Sequence, residues 1–119
     1  MIDTSNQTKL DKIQALKDAY CAELPPCVEA IVQLWRNLCA SSAWNVDFVE
    51  EIKQKAHILS GSAGMFGMMD ISITAGAVEE QMLLWNQRPN PKHRPASDNI
   101  QKIDALVSLL QPSTKTTIS

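Results

Sequence analysis

The chain has 119 residues, 45% of them apolar and 20% charged, an ordinary balance for one globular domain and too apolar for a disordered chain. Eleven Lys and Arg against 13 Asp and Glu give a formal net charge of −2, which excludes the basic footprint of a general nucleic-acid binder. The longest uncharged stretch, Ile58 to Met69, is broken by Gly and Ser and falls short of the roughly 18–20 apolar residues of a membrane span, so no membrane partner is expected.

The apolar pattern is helical from end to end. Leu10, Ile13, Leu16 and Tyr20 recur at three to four residues and predict a first short helix over about residues 6–22. Pro25 and Pro26 mark a new start, because proline suits a helix's first turn and not its interior. Val28, Ile31, Trp35 and Leu38 then form a stripe that closes at Ala40-Ser41-Ser42. The next start is Asn45 or Asp47, the latter at capping-box spacing from Glu50. From there Phe48, Val49, Ile52, Ala56, Leu59, Ala63 and Phe66 follow one face up to Gly67, a helix end or kink. Asp70 is a cap candidate for a helix carrying Ile71, Ala75, Val78, Met82 and Trp85. Residues 86–97 read as a polar, proline-rich loop. Ser97 or Asp98 caps a last helix with Ile100, Ile103, Leu106, Val107 and Leu110, stopped by Pro112.

Strand alternation and hairpin turns are missing from the sequence. The expected fold is all-α: an antiparallel four-helix bundle with a short extra N-terminal helix, one domain over residues 1–112 and a loose tail over 113–119. Because the stripes are expected to be satisfied within one chain, a monomer is expected. Cys21, Cys27 and Cys39 cannot all pair and fit no metal spacing, and the polar opening Met1-Ile2-Asp3-Thr4-Ser5-Asn6 lacks the basic start of a secretory signal. A cytoplasmic protein with free thiols is expected.

One helix departs from a purely structural pattern. With His57 at 0° and about 100° per residue, its apolar residues Ile52, Ala56, Leu59, Ala63 and Phe66 fall at about 180–260°. Glu50, Lys53, Gln54, Ser60, Gly61 and Gly64 fall within about 60° of His57, which therefore sits on the polar face. Two glycines on that face cost about 1 kcal/mol each relative to Ala, so they call for a packing or functional reason. Gly61 and Gly64 are expected to clear the space above the imidazole for a close approach by another backbone. The glycines fit neither GxxxxGK[ST] nor GxGxxG, and no strand precedes them. The only other histidine, His93, lies in the proline-rich loop, and no HExxH or Glu-x-x-His pair exists, so no metal is expected. No cysteine lies near His57 in sequence, which leaves a Cys–His pair without support.

The segment Ala56-His57-Ile58-Leu59-Ser60-Gly61-Ser62-Ala63-Gly64-Met65-Phe66-Gly67 resembles the AHxLxGSAGxFG signature of histidine phosphotransfer (HPt) domains, which carry phosphoryl groups between receiver domains in multistep two-component phosphorelays. Glu23-Leu24-Pro25, Trp44 and Val78-Glu79-Glu80 add to the likeness, which spans about residues 10–110 and implies a free-standing carrier. The resemblance implies that His57 is the phospho-accepting residue, through Nε2, and that Glu79 holds Nδ1. A carboxylate there would fix the tautomer and strengthen the nucleophile. The chain departs from the family where many members carry Lys three residues after the histidine. Here that residue is Ser60, so Ser60 as hydrogen-bond donor or Lys53 as neighbouring cation is expected to compensate.

Ile58, Met65 and Met68 join Ser60, Gly61 and Gly64 as the expected docking face. The implied partners are the receiver domain of a hybrid sensor histidine kinase and a response regulator. No cofactor is expected on this chain, with Mg²⁺ in the partner receiver, and no autonomous kinase or phosphatase activity. The basic residues Arg88, Lys92, His93 and Arg94 are read as a solvated loop or a steering patch for an acidic partner. Two alternatives stand beside the carrier. One is an HPt-like adaptor that sequesters a kinase or receiver without relaying phosphate. The other is a bundle enzyme, which would need a deep polar pocket at His57.

Overall fold

The computed structural model describes residues 4–111, with side chains from Thr8 onward. Four helices make up most of it: α1 (Thr4–Ala40), α2 (Val46–Met65), α3 (Met69–Asn86) and α4 (Ser97–Leu110), with no strand among the described residues. The tail predicted over 113–119 and the expected stop at Pro112 lie outside the described residues.

α2 packs on α1 and α3, and α4 packs on the same two helices, so the four close a ring around one core. Each helix contributes the stripe that its sequence periodicity points to. Val28, Ile31, Trp35 and Leu38 come from α1, and Val49, Ile52, Ala56 and Leu59 from α2. Ala75, Val78, Met82 and Trp85 come from α3, and Ile103, Val107 and Leu110 from α4. Burying a side chain of the larger kind stabilises by about 1.5–3 kcal/mol, so these stripes outweigh the weak local preferences of the loops. At the end of the bundle remote from His57, Trp85 packs between Trp35 and Trp44, and the Trp35 indole N–H donates to Asp104 Oδ1 at 3.1 Å.

The first helix differs from expectation. No break occurs at Pro25-Pro26, and the predicted short N-terminal helix is the first part of α1. Proline inside a helix removes a hydrogen bond and costs about 3 kcal/mol. Two features offset that here. The prolines and the residues whose carbonyls they orphan, Cys21 and Ala22, are exposed, so water can take the lost bonds. The apolar stripe also stays in phase across them, from Tyr20 through half-buried Leu24 to buried Val28. Tyr20 is fixed to the end of α2 by stacking on Phe66 at 4.7 Å between centroids. Its hydroxyl also bonds Ser62 Oγ at 2.9 Å.

Beyond Tyr20 the same stripe runs past the end of the bundle. Leu10, Ile13 and Leu16 are 59–61% exposed rather than in the core. The expectation that every stripe is satisfied within one chain therefore fails at this segment.

The helix ends also depart in detail from the sequence reading. Asn45, not Asp47, caps α2, its Oδ1 accepting the backbone N–H groups of Asp47 and Phe48. Asp70 and Asp98 lie in the first turns of α3 and α4, where they favour the helix dipole without capping. The preceding residues, Met68 and Ala96, make no side-chain cap bond, and Ser97 is already helical. Gly67 ends α2 as expected. Its φ of +78° lets the Gly67 N–H reach the Gly64 carbonyl at 3.2 Å and the Met68 N–H reach the Ala63 carbonyl at 2.8 Å.

The 86–97 loop spends its arginines on internal ties. Arg88 donates to the carbonyls of Trp85, Pro91 and His93. Arg94 lies over the Trp44 ring and donates to the carbonyls of Cys39 and Ser41 at 2.9 Å, closing the end of α1. The steering-patch reading of this cluster loses these two residues to structure.

Candidate functional site

His57 lies just past the middle of α2, on the side away from the core. Its side chain is 72% exposed, at a shallow recess shared with Lys53, Gln54, Ile58 and Glu79. This recess is open, unlike the deep polar pocket expected of a bundle enzyme. Glu79 reaches across from α3 and places Oε2 2.7 Å from His57 Nδ1. Nδ1–H donates to this carboxylate, so the neutral ring keeps its free lone pair on Nε2. An exposed imidazole with a fixed tautomer can attack an electrophile brought by another molecule. The carboxylate can balance the positive charge that such an attack puts on the ring.

The neighbours divide into two groups. Ile58 at 69% and Met65 at 80% exposure stand open, whereas Met68 is half-buried in the α2–α3 turn. A mostly apolar groove between α1 and α2 continues this surface, lined by Tyr20, Pro26, Cys27, Ala30, Ile58 and Leu59 with Lys55 and Ser62. The sequence reading places none of the α1 members of this groove on the docking face. Only the phase of the Tyr20 stripe could have pointed to them, and the break expected at the prolines hid it.

Two polar neighbours, Lys53 and Ser60, are already engaged. Lys53 Nζ pairs with Glu50 at 2.8 Å, one turn before the histidine, and lines the same recess. Ser60 Oγ donates to the Ser72 carbonyl at 2.8 Å, so its hydroxyl is committed to α3 rather than free above the imidazole. Of the cysteines, Cys27 lines the α1–α2 groove and Cys39 lies elsewhere. Burial pushes the Cys39 thiol up from its ordinary range, with Arg94 opposing and Asp104 reinforcing, and Cys39 sits at the far end of α1. No group of three or more metal-ligating side chains occurs among the described residues.

The two glycines, alike in sequence, differ in space. A Cβ on Gly61 would meet nothing within 4 Å, whereas one on Gly64 would lie 3.1 Å from Ser72 Oγ. Gly61 therefore fits the expected open face, and Gly64 instead allows α3 to approach. Gly61→Ala should stabilise the fold by about 1 kcal/mol, raising the melting temperature by roughly 4 °C. Gly64→Ala should give no gain, because the Ser72 hydroxyl it meets is held by its own hydrogen bond. Thermal unfolding followed by circular dichroism separates the two; equal gains would show that the seam yields freely.

No helix among the described residues is long and apolar enough to cross a membrane. No curated protein and no solved structure matches the chain. A family model does, that of the Hpt domain, over residues 15–112. With that match covering most of the sequence, a helical bundle, and an outward-facing histidine within the signature segment, the chain belongs to the Hpt domain family, whose members carry phosphoryl groups in phosphorelays.

Proposed function

We propose that this protein accepts a phosphoryl group on His57 Nε2 from the aspartyl phosphate of a hybrid kinase's receiver domain and passes it to the aspartate of a response regulator. The observation that carries the reading is the His57–Glu79 pair: an exposed imidazole whose Nδ1 is held 2.7 Å from a carboxylate. In the first step Nε2 attacks phosphorus, a P–N bond forms, and the P–O bond to the donor aspartate breaks. The aspartate leaves as carboxylate. The ring keeps its Nδ1 proton and carries positive charge opposite Glu79. The second step is the same displacement with the acceptor aspartate as nucleophile.

Mg²⁺ belongs to the receiver in this scheme, where it supplies charge stabilisation on the phosphoryl oxygens, and the carrier needs no cofactor of its own. One copy of the chain suffices, because both members of the pair come from it. Receivers dock on Ile58, Gly61, Met65 and the α1–α2 groove, a surface suited to a transient complex. The relay operates in the cytoplasm, without autonomous kinase or phosphatase activity. The bundle is antiparallel, a reading supported by the opposite chain order in which α2 and α3 residues meet.

The test is phosphoryl transfer from a panel of phosphorylated receiver domains, read by intact mass and peptide mapping. One acid-labile phosphoryl group on the peptide containing His57 is the expected result. A receiver that binds tightly yet never labels the chain would favour the sequestering adaptor.

A further inference from the structure

The α2–α3 contact beside His57 is built from small residues in a fixed order. Gly64 faces Ser72, Ser60 faces both Ser72 and Gly76, and His57 faces Glu79. Along α2 the three are four and three residues apart, and along α3 they are four and three apart in the opposite order, so they form one stripe on each helix. The serines clasp each other: Ser60 Oγ donates to the Ser72 carbonyl, and Ser72 Oγ donates to the Ser60 carbonyl, both at 2.8 Å. Such short side chains reach a facing backbone only when the helices lie close. The glycines allow that, since a Cβ at Gly64 or Gly76 would come within 3.1 or 3.3 Å of a clasp hydroxyl. Glu79 lies two turns beyond Ser72 and must span the remaining gap to Nδ1 with a short side chain. Its reach is therefore set by how close the clasp holds the helices.

We propose that Ser60 and Ser72 are positioning residues that hold α3 against α2 so that Glu79 keeps His57 in the Nδ1–H tautomer. Ser60, which occupies the position of the family's frequent lysine, thus acts on the ring's geometry through Glu79 and not on the phosphoryl charge. The consequence for transfer rests on the carrier reading given above; the tautomer does not.

The test compares wild type with Ser60→Ala/Ser72→Ala, each single variant, and Glu79→Ala, using ¹⁵N shifts of the neutral His57 ring in the full chain. Folding is checked by the backbone spectrum, and Ser72→Ala alone serves if the double variant does not fold. Wild type should show protonated Nδ1 and bare Nε2. The serine variants should move toward a mixture of tautomers, in the direction of Glu79→Ala. Transfer should fall about tenfold in the double variant, and combining it with Glu79→Ala should add little, since both act through one contact. A folded double variant with an unmoved tautomer overturns the proposal, as does a loss that multiplies fully with Glu79→Ala. A wild-type chain that no receiver labels would defeat the carrier reading while leaving the tautomer comparison intact.

Discussion

His57→Gln protein takes up no acid-labile phosphoryl group from any receiver that labels the wild-type chain, and it folds as the wild type does. The loss is complete rather than partial because glutamine has no lone pair on nitrogen with which to form the P–N bond. Its amide nitrogen is delocalised into the carbonyl. Stability changes by no more than about 0.5 kcal/mol, because the replaced ring is mostly exposed and its bond to Glu79 is open to solvent. The control that gives this result its force is His93, the chain's second histidine. His93 is also exposed, but its Nδ1 faces the Asn90 amide at 3.3 Å rather than a carboxylate. An amide N–H donated to Nδ1 favours the opposite tautomer, and no ion pair to His93 occurs among the described residues. Intact mass of His57→Gln and His93→Gln side by side therefore discriminates. Labelling that survives in the first and vanishes in the second would move the acceptor to the loop and end the present reading.

What the sequence could and could not reveal follows from the kind of information a helical pattern holds. The stripes of α2, α3 and α4 are periodic, and the helices and core residues read from them match the structure closely. The position of His57 opposite that core follows from the same arithmetic. The pattern fails at Pro25-Pro26, where a strong local signal for a break is overridden by a stripe that stays in phase and by the tie from Tyr20 to α2. It also fails at the caps, because Met68 and Ala96 precede their helices without a side-chain bond, leaving no residue type to recognise. A helical wheel, moreover, is symmetric about His57, and the packing is not. Ser60 and Gly64 fall on one side of the histidine and face α3, while Gly61, on the other side, faces open space. Two glycines and a serine with the same expected role therefore divide into a seam and a surface. Glu79 was reached by family resemblance alone, since no spacing within one helix shows what an adjacent helix brings to 2.7 Å.

Glu79 is the residue whose replacement should cost most after His57 itself. Removing its carboxylate acts at two points of the transfer. In the resting protein the neutral ring loses the acceptor that keeps the proton on Nδ1, so part of the population carries the proton on Nε2 and cannot attack. In the transition state the ring gains positive charge with no anion at 2.7 Å to balance it. A hydrogen bond to a charged group is worth about 1.5–3 kcal/mol, or roughly ten- to over a hundredfold in rate. Glu79 is about a third exposed, so solvent screening places the expected loss toward the lower part of that range. Glu79→Gln should slow transfer about tenfold, because its amide oxygen still accepts from Nδ1–H but brings no charge. Glu79→Ala should slow it further, up to about thirtyfold, because both functions go. Receiver affinity should hold in both variants, since Glu79 lies beside the ring while the proposed docking surface is Ile58, Met65 and the α1–α2 groove. Single-turnover transfer at saturating phosphoreceiver, with binding measured separately, reads the two quantities apart. A rate unchanged in Glu79→Ala would mean that the contact orients nothing the reaction uses. A fall in affinity with an unchanged rate would make Glu79 part of the docking surface instead.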